Sequence, residues 1–393
     1  MFGIRKCFAS YFATHAQRAR RLTASFGSRA AANKSAIVLS CMALMSAVSF
    51  GGWANVLADE PPVVDESYFN YDYEKVLDYR IIKAWRGLDH PVPAYTTEMV
   101  ARYTELVGKL PWVSPTASAD ENMVLGKTPG WPKNPKFPDD PEIPPLPMYG
   151  YQITDPNIQG PKVKMILAAQ NHPREFTGSW VVEGFVNFVA GSDPRAVFLR
   201  KKATFYVYPD INPEGRYQAV HRIDLKAAPD PTGSTRGNPE LYAAGQSDHN
   251  RVWTTQGKFS TVDTITAAMK KDTGGHADYF WDMHGPQDPP NWRSPRMEAR
   301  INNYALALMK REPDVLRCGP PDKFKRNVAS GPPGKLTLWA VSEEGLNVTY
   351  PYVYEPGGWT RERLLDAGRN LALALHDALS AEQSSEPGEQ DSP

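Results

Sequence analysis

Val163-Lys164-Met165-Ile166-Leu167-Ala168-Ala169-Gln170-Asn171-His172-Pro173-Arg174-Glu175 opens on a compact apolar run and closes on an imidazole and a carboxylate three positions apart. An apolar run of this length after a Pro predicts a buried strand over Val163–Ala169. Phe176–Ala190 follows at once and is apolar over the length of a helix. The same alternation recurs downstream. Ala203–Tyr208, Tyr279–Met283, Leu336–Val341 and Val348–Tyr354 read as strands, and Met297–Lys310 and Thr360–Leu379 as helices. Thr360 stands at the N-cap of the last of these, with Glu362 close behind. Strands alternating with helices predict a layered α/β domain with a mostly parallel sheet. In such domains, sites form at the C-terminal ends of the strands.

Upstream the texture differs. Thr96–Val107 spaces Met99, Val100, Tyr103, Leu106 and Val107 along one helical face. A short helix is expected through Tyr73–Trp85, and the Pro- and Gly-loaded residues 111–161 read as loop. Trp131, Phe137, Leu146 and Tyr149 there would require burial. Tyr149–Thr154 and Val163–Ala169 read as a strand pair.

The chain has 393 residues, 44 of them Lys or Arg and 44 Asp or Glu. That length allows a substantial core, and the composition excludes a disordered chain or a disulfide scaffold. A formal charge of zero argues against a broad basic face for nucleic acid. The charges are unevenly placed, however. Residues 1–58 hold seven basic residues (Arg5, Lys6, Arg18, Arg20, Arg21, Arg29, Lys34) and no acid, then an apolar run, Ala36–Phe50, and the small-residue pattern Val56-Leu57-Ala58. This is the pattern of a secretory leader. An uncleaved signal anchor and a mitochondrial-type presequence are the alternatives. Cleavage after Ala58 leaves 37 basic against 44 acidic residues, with no stable membrane span expected. It also leaves Cys318 as the only cysteine, so a metal site has to be built from His and carboxylates.

Three candidate motifs sit at strand ends. His172-x-x-Glu175 sets two ligand types about one turn apart, within reach of one cation. Trp281-Asp282-Met283-His284-Gly285 ends a buried-looking strand on an imidazole, and the Gly permits a sharp turn. Each His alone reads equally as a satisfied core residue, but together with Glu175 they make the His₂Glu count of a catalytic zinc. Asp210-Ile211-Asn212-Pro213-Glu214-Gly215-Arg216 follows the strand Ala203–Tyr208 and reads by itself as a turn. Asp248-His249-Asn250-Arg251 comes later, and its Asn and Arg suit a carboxylate-bearing ligand. A serine hydrolase is disfavoured, because Gly233-Ser234-Thr235-Arg236-Gly237 puts Thr where the nucleophile would stand.

In order and approximate spacing, His172-x-x-Glu175, Asn212-Pro213-Glu214-Gly215, Asp248-x-Asn250-Arg251 and His284 resemble the M14 family of zinc carboxypeptidases. The resemblance spans roughly residues 95–380. It implies a single three-layer α/β domain with a central mixed, mostly parallel sheet. It also implies one zinc ion held by His172, Glu175 and His284, with Asp248 orienting the His172 ring. Asn250 and Arg251 would bind the free carboxylate of a peptide or peptide-like substrate. Arg236 would face the oxyanion, with Arg222 and then Arg216 as rivals. Glu355 would be the general base, with Glu343 and Glu344 as rivals; Val353 stands where the family has Thr. The implied activity is a secreted or periplasmic metallocarboxypeptidase. A related amidase or deacylase, and a binding protein with an inert zinc site, are the competing readings. The organisation expected is a leader over 1–58, an N-terminal extension over 59–92, the zinc peptidase domain over 93–380 and a disordered tail over 381–393.

Overall fold

Alternate residues of the central strands enter two different cores, and this sets the architecture. In Val163–Ala169, Met165, Leu167 and Ala169 join one buried cluster, while Ile166 and Ala168 join the other. In Ala203–Tyr208, Phe205 and Val207 point one way and Tyr206 and Tyr208 the other. A strand whose side chains alternate in direction and are apolar on both faces needs a layer on each side. The structure is a computed structural model, described over residues 62–71, 81–83, 91–130, 142–172, 174–221, 248–317 and 334–385. All of these belong to one unit, Glu60–Pro393.

The strands, in chain order, are β1 (Ile81–Lys83), β2 (Pro91–Pro93), β3 (Val113–Pro115), β4 (Val124–Lys127), β5 (Pro147–Tyr149), β6 (Tyr151–Ile153), β7 (Val163–Ala169), β8 (Ala203–Tyr208), β9 (Tyr279–Met283), β10 (Asn291–Arg293), β11 (Leu316–Arg317) and β12 (Tyr350–Glu355). Eight of them form a mixed sheet in the order β11-β10-β12-β9-β7-β8-β6-β3. Its centre, β12-β9-β7-β8, is parallel throughout. β1–β2 and β4–β5 are separate two-stranded pairs.

The helices are α1 (Thr97–Val107), α2 (Phe176–Ala190), α3 (Pro194–Lys202), α4 (Pro213–His221), α5 (Ser260–Thr273), α6 (Asn303–Arg311), α7 (Leu336–Val341) and α8 (Arg361–Ser385). Apolar residues of α2, α6 and α8 join the first cluster, and those of α5 and α7 the second. The expected three-layer α/β domain is therefore present. α2 and α8 cross closely because Gly184 and Gly368 leave room. A Cβ on Gly184 would lie 2.1 Å from the Leu365 carbonyl oxygen, and one on Gly368 2.0 Å from that of Val181. No helix among the described residues is long and apolar enough to cross a membrane.

Several sequence expectations change. Leu336–Val341 is a helix, not a strand: Leu336, Trp339 and Ala340, buried at i, i+3 and i+4, form a helical face. A six-residue apolar run does not distinguish the two by itself. Met297–Lys310 divides into a turn at Glu298–Arg300 and α6, because Asn302 caps a new start by accepting from the Ala305 N–H at 2.8 Å. β6 and β7 are not paired; β8 lies between them. Residues 81–83 of the expected first helix are a strand, and the rest of it lies outside the described residues, as do Trp131 and Phe137. The Pro-rich stretch 111–161 contains β3 to β6. Within the expected N-terminal extension, Val64 and Phe69 are buried in the main core and Tyr71 donates to Glu183. α8 runs on to Ser385, into the expected tail.

Candidate metal centre

Three sequence-distant segments converge at the C-terminal edge of the parallel strands. β7 ends at Ala169, and Gln170 turns the chain through a left-handed conformation, φ 68°, before Asn171 and His172. Left-handed backbone is costly for a residue with a Cβ, so this bend is held by its surroundings. Glu175 then stands at the cap position of α2. β9 runs parallel to β7 with Ala169 opposite Met283, so His284 emerges beside His172. Gly285, at φ 103°, allows the turn beyond it; a Cβ there would lie 2.7 Å from Thr177 Oγ1 and 2.8 Å from Pro356.

The resulting set is tightly drawn. His172 Nδ1 lies 3.0 Å from Glu175 Oε1, and His284 Nδ1 lies 2.6 Å from Glu175 Oε2. One donor atom from each of the three residues fits within 4.8 Å of the others. The outer ring nitrogens face carboxylates. His172 Nε2 is 3.0 Å from Asp248 Oδ1, and His284 Nε2 is 2.9 Å from Asp282 Oδ2, the latter an ionic contact and not a well-aligned hydrogen bond. A carboxylate behind Nε2 keeps the proton on that nitrogen and frees Nδ1 as a ligand. Two such imidazoles and a carboxylate make a donor set suited to zinc.

Charge balance within the set is unusual. Burial lowers the His172 pKa, but Glu175 and Asp248 outweigh it and raise the value to about 9. Burial likewise opposes the charged form of His284, and Asp282 and Glu175 overrule it, lifting the ring well above its ordinary value. Burial would raise Glu175, yet the two imidazoles hold it far below the usual carboxylate range. Asp248 is raised by burial and brought down to about 2 mainly by its hydrogen bond to His172. In the absence of metal, protons compete for both imidazoles.

Around this set, Asp248 caps the turn His249–Arg251, accepting from the Asn250 N–H at 2.8 Å through the oxygen that also faces His172. Asn250 is buried. Its Oδ1 accepts from the Leu336 N–H at 2.9 Å, and its Nδ2 lies 3.4 Å from His284 Nε2. Arg251 reaches Asp248 Oδ2 at 3.2 Å and remains partly exposed. Asn171 ties the two loops together, accepting from Trp253 Nε1 at 3.1 Å and sitting 3.0 Å from His249 Nδ1. Glu355 ends β12 one residue beyond Tyr354, whose carbonyl accepts from the His284 N–H at 2.8 Å. Its rivals Glu343 and Glu344 are exposed on the turn after α7.

Residues 146–279 match the peptidase M14 family profile, described as zinc carboxypeptidase. Over this stretch, about a third of its length, the chain is similar to the M14 zinc carboxypeptidase family. The matched stretch carries His172, Glu175, Asp248, Asn250 and Arg251; it ends before His284, which β9 brings in beside β7. Among relatives, cytosolic carboxypeptidase 2 of Macaca fascicularis is 39% identical over 64 residues, 16% of this chain and 8% of that protein. Cytosolic carboxypeptidase 6 of Caenorhabditis elegans is 25% identical over 143 residues, 35% of this chain and 27% of that one. The chain thus spans only a small part of these curated relatives. Among solved structures, a metallo-carboxypeptidase from Burkholderia cenocepacia shares the fold at TM-score 0.52 and 20% identity, covering 74% of this chain and 70% of that one. Thrombin activatable fibrinolysis inhibitor does so at TM-score 0.50 and 13% identity, covering 75% of each. The residues present fit the zinc of the M14 family, one ion per chain.

Not every sequence-derived candidate joins this site. Arg216 is fully buried, donates to Tyr95 O at 2.9 Å and Ser179 Oγ at 2.8 Å, and forms an ion pair with Asp210 at 2.8 Å, which makes it a structural tie. Arg222 and Arg236 lie outside the described residues. Asn212-Pro213-Glu214-Gly215 is not a plain turn but the start of α4. Pro213 opens the helix and Asn212 Oδ1 accepts from the Gly215 N–H at 3.3 Å.

Asp282 escaped assignment, although Asp-x-His on a strand carries the signal: period two puts both side chains on one face. Asp282→Asn is expected to keep the fold and weaken zinc binding about 10- to 100-fold, read by chelator competition. Unchanged affinity would remove Asp282 from the site.

Proposed function

We propose that this chain is a metallocarboxypeptidase that removes the C-terminal residue of a peptide bearing a free carboxylate. The observation that carries this is the convergence of His172, Glu175 and His284 with two differently charged neighbours, Arg251 and Glu355, at one sheet edge. Arg251, partly exposed and held by Asp248, would pair with the terminal carboxylate, the geometry at which Arg excels. Asn250, whose Nδ2 lies 3.4 Å from His284 Nε2, would adjoin that carboxylate. Glu355 would accept a proton from the attacking water and return it to the departing amine nitrogen. Zinc, when bound, supplies a Lewis acid that polarises a carbonyl and acidifies water. Arg236 remains the proposed cation for the oxyanion, with Arg222 as its rival.

The test is a pair of otherwise identical peptides, one with a free and one with an amidated C-terminus, followed by mass spectrometry. Stepwise trimming of the free form is expected, with the amidated form cut at least about 100-fold more slowly, the scale of losing a charge-assisted bidentate contact. Equal cleavage of both would favour an amidase over a carboxypeptidase.

We further infer that residues 1–58 act as an export leader, on the support of seven basic residues, no acid and the apolar run Ala36–Phe50. The N-terminus of the mature protein, sequenced from the expressing cell's exterior or periplasm, is expected just after Ala58. Recovery of the intact chain in the cytosol would reject this.

A further inference from the structure

Among the described residues, Arg293 contacts the Glu355 carboxylate directly: Nη2 lies 2.6 Å from Oε1. The pair is built into the sheet. β10 and β12 are antiparallel, with Asn291 opposite Glu355 and Arg293 opposite Val353. Trp292, between Asn291 and Arg293, is 1% exposed and its ring lies 5.8 Å from that of Tyr352, so it anchors β10 in the main core. Strand periodicity then turns Arg293 to the opposite face, the face that Val353 and Glu355 share. Lys335, at the start of α7, adjoins the same region: burial, Arg251 and Arg293 lower its pKa, against Asp248 and Glu355.

We propose that Arg293 is a positioning residue for the hydrolytic reaction, holding the Glu355 carboxylate by one oxygen so that the other is presented to the water. This rests on the reading of Glu355 as the general base. Two magnitudes favour orientation over field strength as the means. Arg293 is 42% exposed, so solvent screens its charge, whereas Glu355 is only 15% exposed and a directional contact to it is well defined. A base displaced by a fraction of an ångström loses rate without losing substrate.

The experiment is a double-mutant cycle on the full zinc-loaded chain, with Arg293→Ala, Arg293→Lys, Glu355→Gln and the pair Arg293→Ala/Glu355→Gln, assayed on a free C-terminal peptide. The expected result has four parts. Arg293→Ala lowers kcat roughly 10- to 100-fold with KM within about threefold. Arg293→Lys recovers part of the loss. The two effects do not multiply, so Arg293→Ala changes the residual rate of Glu355→Gln less than about twofold. Zinc content and melting temperature stay unchanged. A raised KM with kcat intact would make Arg293 a substrate-binding cation beside Arg251 and Lys335, and would overturn the proposal, as would losses that multiply or an Arg293→Ala that is silent. If Glu355→Gln alone left kcat intact, the base reading would fail first and take the role of Arg293 with it. An inactive Glu355→Gln beside a silent Arg293→Ala would instead sink only the role of Arg293.

Discussion

Glu355→Gln is expected to abolish nearly all hydrolysis while leaving the metal in place. The substitution keeps shape and one carbonyl oxygen, so Arg293 retains an acceptor and β12 its pairing with β9 and β10. None of the three proposed metal ligands changes, and zinc content should remain stoichiometric. What is lost is the capacity to take and return a proton. General base catalysis by a positioned carboxylate is worth about 10²- to 10⁴-fold, so kcat is expected to fall by roughly 10³. Glu343→Gln and Glu344→Gln are the matching controls; both residues are exposed on the turn after α7, and neither change should move kcat beyond about twofold. A Glu355→Gln enzyme of ordinary rate would end the mechanism while leaving the metal site untouched.

The second large effect concerns metal binding itself. His172→Ala removes one of the three proposed ligands and strands Asp248 and Glu175, which the imidazole bridges at 3.0 Å on either side. Stoichiometric zinc should be lost on dialysis, and activity with it. In the native chain the same imidazole makes binding depend on pH in a definite sense. With no metal present the His172 pKa is lifted to about 9, because Glu175 and Asp248 outweigh burial. Below that value the ring carries a proton that zinc must displace; above it the ring is already neutral. Affinity should therefore rise with pH, about tenfold per unit for each proton displaced. His284, also lifted by Asp282 and Glu175 against burial, adds to the slope. Chelator competition between pH 6 and 9 reads this directly, and a flat profile would show that neither imidazole is a ligand.

Much of this site was legible in residues alone, and the reason is local geometry. His172 and Glu175 lie about one turn apart whatever the rest of the chain does, and Asp248 caps its own turn through a short-range bond to Asn250. Asp282 and His284 share a face because a strand has period two. The buried strands were legible for the same reason, as uninterrupted apolar runs bounded by turns. Leu336–Val341 was not, since six apolar residues satisfy either period, and only its packing beneath the sheet selects the helix.

Adjacency was decided elsewhere. Nothing in the residues between 175 and 284 states that β9 must lie against β7, or that β8 must separate β6 from β7. Which strands are neighbours depends on how two apolar layers can be closed over one sheet, a property of the whole burial pattern. That choice brings His284 to Glu175 across 109 positions of chain, and sets Arg293 on Glu355 across 62. The chain's own sequence therefore specified the candidate ligands and the buried parallel strands. The tertiary fold alone decided which of them meet, because contacts between distant residues are set by collective burial and not by any local spacing.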